Sequence, residues 1–177
     1  MKIAIIGYSG AGKSTLAEKL SNYYSIPKLH MDTLQFQPGW QDSDREWMLT
    51  EMKNFLTKHE AWVIDGNYSW CCYEERMQEA DQIIFLNFSP WTCLFRAFKR
   101  YLTYRGKVRE SMAAGCPERF DWEFIRWILW DGRTKNAKER YQRVQENYPE
   151  KVIVLRSQRE IDHFLENLTH NEKNQRV

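Results

Sequence analysis

Gly7-Tyr8-Ser9-Gly10-Ala11-Gly12-Lys13-Ser14 is the stretch on which the reading of this chain turns. It fits the pattern G-x-x-x-x-G-K-[ST] in full, and each residue type has a physical purpose. Glycines let successive backbone N–H groups turn inward as an anion cradle, and the helix that follows aims its positive N-terminal end at the same point. Lys13 is placed to reach β- and γ-phosphates, and the Ser14 hydroxyl to take a position on Mg²⁺. Gly7, Ser9, Gly10, Ala11, Gly12, Lys13, Ser14 and Thr15 are therefore the expected nucleotide-binding residues, with ATP and Mg²⁺ as cofactors. At average residue usage such an octet arises by chance in about one per cent or fewer of chains this long. Its surroundings fit as well: the β-branched run Lys2 to Ile6 reads as a strand, and Lys13 to Tyr24 carries Leu16, Leu20 and Tyr23 at helical spacing.

Outward from this loop the two periodicities alternate. Pro27 to Met31 reads as a second short strand, and Asp42 to Lys58 as a helix with an apolar stripe of Trp47, Met48, Met52, Phe55 and Leu56. Ala61 to Ile64 is a third strand, closed by Asp65-Gly66-Asn67, and Tyr73 to Ala80 a short helix. Ile83 to Phe88 is a fourth strand ending at Ser89-Pro90, where proline opens a helix over about Trp91 to Tyr104. Residues 107 to 118 have no periodicity, whereas Phe120 to Trp130 and Lys135 to Tyr148 read as helices. Val152 to Leu155 is a fifth strand, Arg159 to Leu168 a last helix, and the polar stretch from Thr169 to Val177 is expected to fray. Strands alternating with helices imply a parallel sheet covered on both faces, with ligands beyond the carboxyl ends of its strands. That rule selects Gly7 onward, Asp32, Asp65 to Tyr68 and Asn87 to Pro90.

Length and composition bound the rest. A chain of 177 residues is one domain, placed at 1–168, and 42% hydrophobic with 15% aromatic residues excludes disorder. With 26 basic against 24 acidic residues the net charge is +2, so a nucleic-acid or membrane partner would need local clustering of charge. The one such cluster runs from Arg96 to Arg109, with six Lys or Arg and no acid. No apolar run approaches the ~20 residues of a membrane span, and the start of the chain lacks a secretory pattern, so a cytoplasmic protein is expected. Cys71, Cys72, Cys93 and Cys116 include no C-x-x-C pair and read as reduced and structural. Trp122, Trp127 and Trp130 read as helical core. Asp65 stands where a strand-end acid would hold Mg²⁺, with a turn-starting role as the alternative.

Six segments carry a family resemblance: GYSGAGKST (7–15), LHMDTLQFQPGW (29–40), WVIDGNY (62–68), FRAFKRY (95–101), AAGCPE (113–118) and WILWDGRT (127–134). Over nearly its whole length the chain resembles the small P-loop kinases of the adenylate, shikimate and uridine kinase kind. Within them it looks most like the FlaR group, adenylate-kinase-like proteins labelled DNA topology modulation proteins. The resemblance implies a three-layer P-loop NTPase fold, with a five-stranded parallel sheet in the order 2-3-1-4-5 and a helical lid at roughly 105–120. It implies that Arg96 stacks on adenine and that Arg100, on the same helix face, meets the transferred phosphate. A further arginine is expected from the far side of the lid; among Arg126, Arg133 and Arg140, spaced by seven, Arg133 is the chosen candidate.

The acceptor side departs from the pattern. Adenylate kinases follow the third strand with Asp-Gly-Phe-Pro-Arg, whereas here Asp65-Gly66-Asn67-Tyr68 follows, so the acceptor-phosphate arginine is missing, with Arg45 and Arg76 as substitutes. Asp32, at the end of the second strand, resembles the aspartate that meets the substrate hydroxyl in uridine-kinase-type and shikimate-kinase-type enzymes; helix capping is its other reading. The expected activity is Mg-ATP-dependent phosphoryl transfer to a nucleoside monophosphate or a small hydroxyl compound, the overall resemblance favouring the monophosphate. An ATP-binding regulator of DNA topology and a P-loop hydrolase are the alternatives.

Overall fold

A computed structural model describes the backbone of residues 1–175 and the side chains as far as residue 170. The apolar run at the start forms β1 (Lys2–Gly7), in which Ile3, Ala4, Ile5 and Ile6 are all buried. Successive strand residues point to opposite faces, so both faces of β1 are covered, and the architecture is three-layered. The chain continues through α1 (Lys13–Tyr24), β2 (Lys28–His30), α2 (Met31–Gln35), β3 (Phe36–Gln37), β4 (Gln41–Asp42), α3 (Arg45–Lys58) and β5 (Trp62–Asp65). Then come α4 (Tyr73–Glu79), β6 (Gln82–Leu86), α5 (Pro90–Tyr104), α6 (Trp122–Leu129) and a 3-10 turn at Asp131–Arg133. The last elements are α7 (Lys135–Asn147), β7 (Val152–Leu155) and α8 (Gln158–Gln175).

The main sheet is parallel with the order β2-β5-β1-β6-β7, which is 2-3-1-4-5 when its own strands are counted along the chain. Its switch point lies at β1, where the chain turns from one half of the sheet to the other, and the crevice beyond the carboxyl end of that strand receives the loop from Gly7 to Gly12. The helices start where local chemistry tells them to: Asp44, Ser89, Asp121 and Thr134 each accept a backbone N–H from the first turn of α3, α5, α6 and α7, and Pro90 opens α5.

Several expectations need correction. The second strand stops at His30, and Asp32 lies in the first turn of α2 rather than at the strand's end. Both α2 and the hairpin β3–β4 went unseen, because elements of two to five residues are too short to display a period. Trp122, Trp127 and Trp130 are 69%, 49% and 57% exposed, so they are surface residues and not core. The stretch from Thr169, expected to fray, is helical as far as Gln175; residues 176 and 177 lie outside the described residues. Among the described residues the four cysteines are free thiols, and no helix is long and apolar enough to cross a membrane.

The segment 105–121 between α5 and α6 has no helix or strand, only an isolated bridge between Arg105 and Glu118. It is fastened to the β3–β4 hairpin. Gly39 N–H donates to Gly115 O at 3.0 Å and the Trp40 indole to Pro117 O at 3.2 Å, while Met112, Ala113 and Cys116 pack on Phe36 and Trp40 as a second apolar cluster. Gly115 is required there, since it has φ +75° and a Cβ would sit 2.8 Å from Pro38 Cβ.

Candidate active site

A cleft of about 1500 Å³ lies at the carboxyl ends of the strands, bounded by the phosphate loop, α2, the hairpin, the residues after β5, α5, segment 105–121 and the α6–α7 arm. The loop is held open by sterics and by one side chain. Gly12 has φ +98°, a left-handed conformation that favours glycine, and the Arg96 guanidinium lies against it, with Nη2 2.4 Å from where a Cβ would stand. Asn67 clamps Gly7 from below, accepting its N–H at 3.0 Å and donating to its carbonyl.

Lys13 Nζ donates to Gly7 O at 3.0 Å and Tyr8 O at 3.3 Å, folding its ammonium over the loop. Burial pushes this ammonium below its ordinary pKa, while the carboxylates of Asp32 and Asp65 pull it back up. Ser14 Oγ donates to Asp65 Oδ2 at 2.8 Å, and Asp65 Oδ1 is held by His30 Nδ1. Ser14 and Asp65 thus stand together as expected. Among the described residues no cluster of three or more acidic, His or Cys groups exists. Mg²⁺ in nucleotide sites takes one or two protein ligands and fills its shell with waters and phosphate oxygens, and Ser14 with Asp65 is the pair here that could supply them. His30 is a buried neighbour fixing the carboxylate, with Nε2 unpartnered.

Asp32 Oδ1 accepts the Tyr68 hydroxyl at 2.7 Å, and both residues line the cleft. Burial and the nearby Asp32 charge push the Tyr68 hydroxyl far above its usual pKa, so it remains a donor. The capping reading is excluded by the α2 N-cap, which is His30 without a side-chain bond. Tyr68 was selected from sequence only by its position after a strand; its hold on Asp32 required the fold.

Of the arginines assigned from sequence, Arg96 and Arg100 both reach the cleft. Arg96 lies over the Phe88 ring at 5.2 Å and donates to Gln158 Oε1 at 2.6 Å, beside the phosphate loop. Arg100 pairs with Glu118, a residue the sequence did not single out. Arg133 does not line the cleft. Its guanidinium stacks on Tyr8 at 3.7 Å, and its Nε and Nη2 donate to the scaffold, to Ile128 O at 2.9 Å, Phe88 O at 3.0 Å and Cys93 Sγ at 3.3 Å. A seven-residue spacing through a helix break at Asp131–Arg133 does not preserve a face, which is why the series failed there. Arg126 and Arg140 are the members that line the cleft; Arg126 pairs with Asp131, while Arg140 has no acidic partner among the described residues. Arg133→Met is therefore expected to leave kcat/KM within about threefold while lowering Tm by about 4–8 °C, for a loss of about 2 kcal/mol in charged hydrogen bonds. Steady-state kinetics and thermal melts check both halves, and a collapse of kcat at unchanged Tm would return Arg133 to the chemistry.

Neither substitute acceptor arginine faces the cleft. Arg76 is fully buried, donating to Gly66 O at 3.4 Å and Tyr68 O at 3.2 Å, and burial lowers its pKa to about 10. It shapes the loop after β5 from behind. Arg45 lies on the outer side against the Trp70 ring, 5.2 Å from its centroid. Near Asp32 the cleft is lined by Gln35, Phe36, Trp40, Asp42 and Tyr68, with the Arg119 guanidinium over the Trp40 ring, 4.6 Å from its centroid.

No family model matches the chain, and no curated protein matches it in sequence. Among solved structures it is similar to the deoxyadenosine kinase of M. mycoides, determined with the products dCMP and a flexible dCDP bound, at 19% identity and TM-score 0.52, covering 100% of both chains. It is also similar to a gluconokinase from Sinorhizobium meliloti 1021, at 18% identity and TM-score 0.49, covering 98% of this chain and 96% of that one. At such identity the first likeness is one of fold: a five-stranded parallel sheet between helices, with the glycine loop at its switch point.

Proposed function

We propose that this protein is an ATP-dependent kinase that phosphorylates a small hydroxyl compound. One observation carries the choice of acceptor: Asp32, whose charge Lys13 feels, stands in the cleft held by Tyr68, while Arg45 and Arg76, the candidates for an acceptor phosphate, both lie outside the cleft. A dianionic acceptor would meet like charge there, whereas a neutral alcohol would meet a carboxylate suited to its proton. The resemblance to the FlaR group, through segments 29–40, 62–68 and 113–118, supports the adenylate-kinase-like ancestry of this site. A direct action on DNA has little support, since Arg96, Arg100 and Arg109 of the basic run turn into the cleft and are occupied by Gln158 and Glu118.

In the reaction so proposed, the acceptor oxygen attacks the γ-phosphorus, the bond to the β–γ bridging oxygen breaks, ADP leaves, and the hydroxyl proton passes to Asp32. Tyr68 orients that carboxylate by donating to Oδ1, leaving the other oxygen for the acceptor. Lys13 and Arg100 lie close enough to feel each other's charge and would neutralise the negative oxygens of the transferred group from two sides. Arg140, without an acidic partner among the described residues, replaces Arg133 as the cation contributed by the helical arm. Ser14 and Asp65 would hold Mg²⁺, whose charge offsets that of the phosphate oxygens.

A screen of ADP release across alcohols, nucleosides and nucleoside monophosphates tests the reading, which falls if only monophosphates serve. Asp65→Asn is expected to raise the Mg²⁺ concentration required by about tenfold or more, because the amide loses the charge that holds Ser14 and the ion's waters. A Mg²⁺ titration of the rate checks this, and an unmoved midpoint would leave Asp65 a packing residue beside His30.

A further inference from the structure

Glu118 belongs to the segment between α5 and α6, yet its side chain is only 3% exposed and points into the cleft wall. Two arginines converge on it. Arg100 brings Nε to 2.8 Å and Nη2 to 2.6 Å of Oε1, and Arg109 Nε donates to Oε2. The Arg109 Nη1 group is steadied by Ser111 Oγ at 3.0 Å, and the Arg100 guanidinium by the face of Phe124, 5.9 Å from its ring centroid. All three charged residues line the same cleft as Lys13.

The charge count of this triad is uneven. Two guanidiniums and one carboxylate leave a net positive charge in a partly desolvated place, and Arg109 is a source of repulsion for Arg100. Forked, planar donors fit phosphate oxygens as well as they fit a carboxylate, and a phosphate dianion would balance both cations where a monoanion balances one. A purely structural staple needs only one arginine for one carboxylate, and buried ion groups are poor stabilisers.

We propose that Arg100 and Arg109 form a second phosphate-binding fork opposite Lys13, and that the Glu118 carboxylate is a built-in competitor that occupies this fork until polyphosphate displaces it. The inference rests on the reading of the cleft as an ATP site and extends it to Arg109, which that reading leaves without a role. It also connects the two ends of the cleft. Pro117 and Gly115, just before Glu118, are the residues bonded to Trp40 and Gly39 of the hairpin, so a displaced Glu118 pulls on the roof of the acceptor end.

Inorganic tripolyphosphate, which has the charges of the donor but no base, is the probe, titrated calorimetrically into the full chain. Glu118→Gln keeps the side chain's size and removes its charge; it is expected to bind tripolyphosphate about tenfold more tightly than wild type, with a steeper loss of affinity as salt rises. Adding Arg109→Ala to Glu118→Gln should abolish the gain. Equal or weaker binding by folded Glu118→Gln, or a gain that survives Arg109→Ala, overturns the proposal. Lys13→Ala separates the two levels: unchanged tripolyphosphate binding in that variant sinks the ATP-site reading itself, whereas lost binding there without a gain in Glu118→Gln sinks only the competitor. If Glu118→Gln does not fold, hydrogen exchange in the wild type decides. The Glu118 amide donates to Lys107 O at 3.1 Å, and tripolyphosphate should make it exchange faster; slower or unchanged exchange means that the carboxylate stays in place.

Discussion

Lys13→Ala lowers kcat by about 10³-fold or more, with Tm within a few degrees of wild type, if the cleft transfers phosphoryl groups as its construction implies. The reason lies in how the loop is built. Asn67 holds Gly7 at both its N–H and its carbonyl, and the loop turns on glycines that need no side-chain support, so the cradle keeps its shape without the lysine. What disappears is the ammonium folded over the loop, in a place where burial already disfavours charge. Among the described residues Lys13 Nζ is in no ion pair within 4 Å and donates to the carbonyls of Gly7 and Tyr8 in its own loop, so its removal severs no ion pair and no hydrogen bond beyond that loop. Purified Lys13→Ala with an unchanged turnover number and a normal melt would dissolve the assignment of the loop.

Asp32→Asn is the second large effect and the more informative one. The amide oxygen still accepts from Tyr68, so the side chain keeps its place, and the change isolates basicity and charge from geometry. With a hydroxyl acceptor the attacking oxygen carries a proton, and losing the carboxylate should cost about 10²-fold or more in kcat. With a monophosphate acceptor the oxygen is already anionic near neutral pH; Asp32→Asn then stays within about tenfold, and the acceptor KM falls as a repulsive charge is removed. Measuring kcat and acceptor KM for the variant with the best substrate from each class distinguishes these outcomes. A small kcat effect with every hydroxyl acceptor would reverse the acceptor assignment made above.

Most of the scaffold was open to reading because it is written in local patterns. The run Ile3 to Ile6 is apolar at every position, as in a strand covered on both faces, and the octet after it fits the phosphate-cradle pattern in full. The strands and helices of the main sheet followed from periodicity, and the pairing of Ser14 with Asp65 followed from the octet together with a strand-end acid. Periodicity failed where elements are short, at α2 and the hairpin, and where aromatic residues on a helical face were taken as core although α6 leaves Trp122, Trp127 and Trp130 exposed.

What only the tertiary structure decided is how charges far apart in the chain are shared out. Arg133, Arg76 and Arg45 had the right residue type for phosphate, yet the fold turns Arg133 onto Tyr8, buries Arg76 under the loop after β5 and lays Arg45 on Trp70. Arg100 and Arg109 had the same chemistry and reached the cleft, where Glu118 claimed them. A sequence states that a guanidinium exists and on which element it sits. Which partner it takes depends on distances across the fold, since a charge interaction strengthens as the groups approach: Arg133 reaches Phe88 O, 45 residues away along the chain, and Arg100 reaches Glu118, 18 residues away.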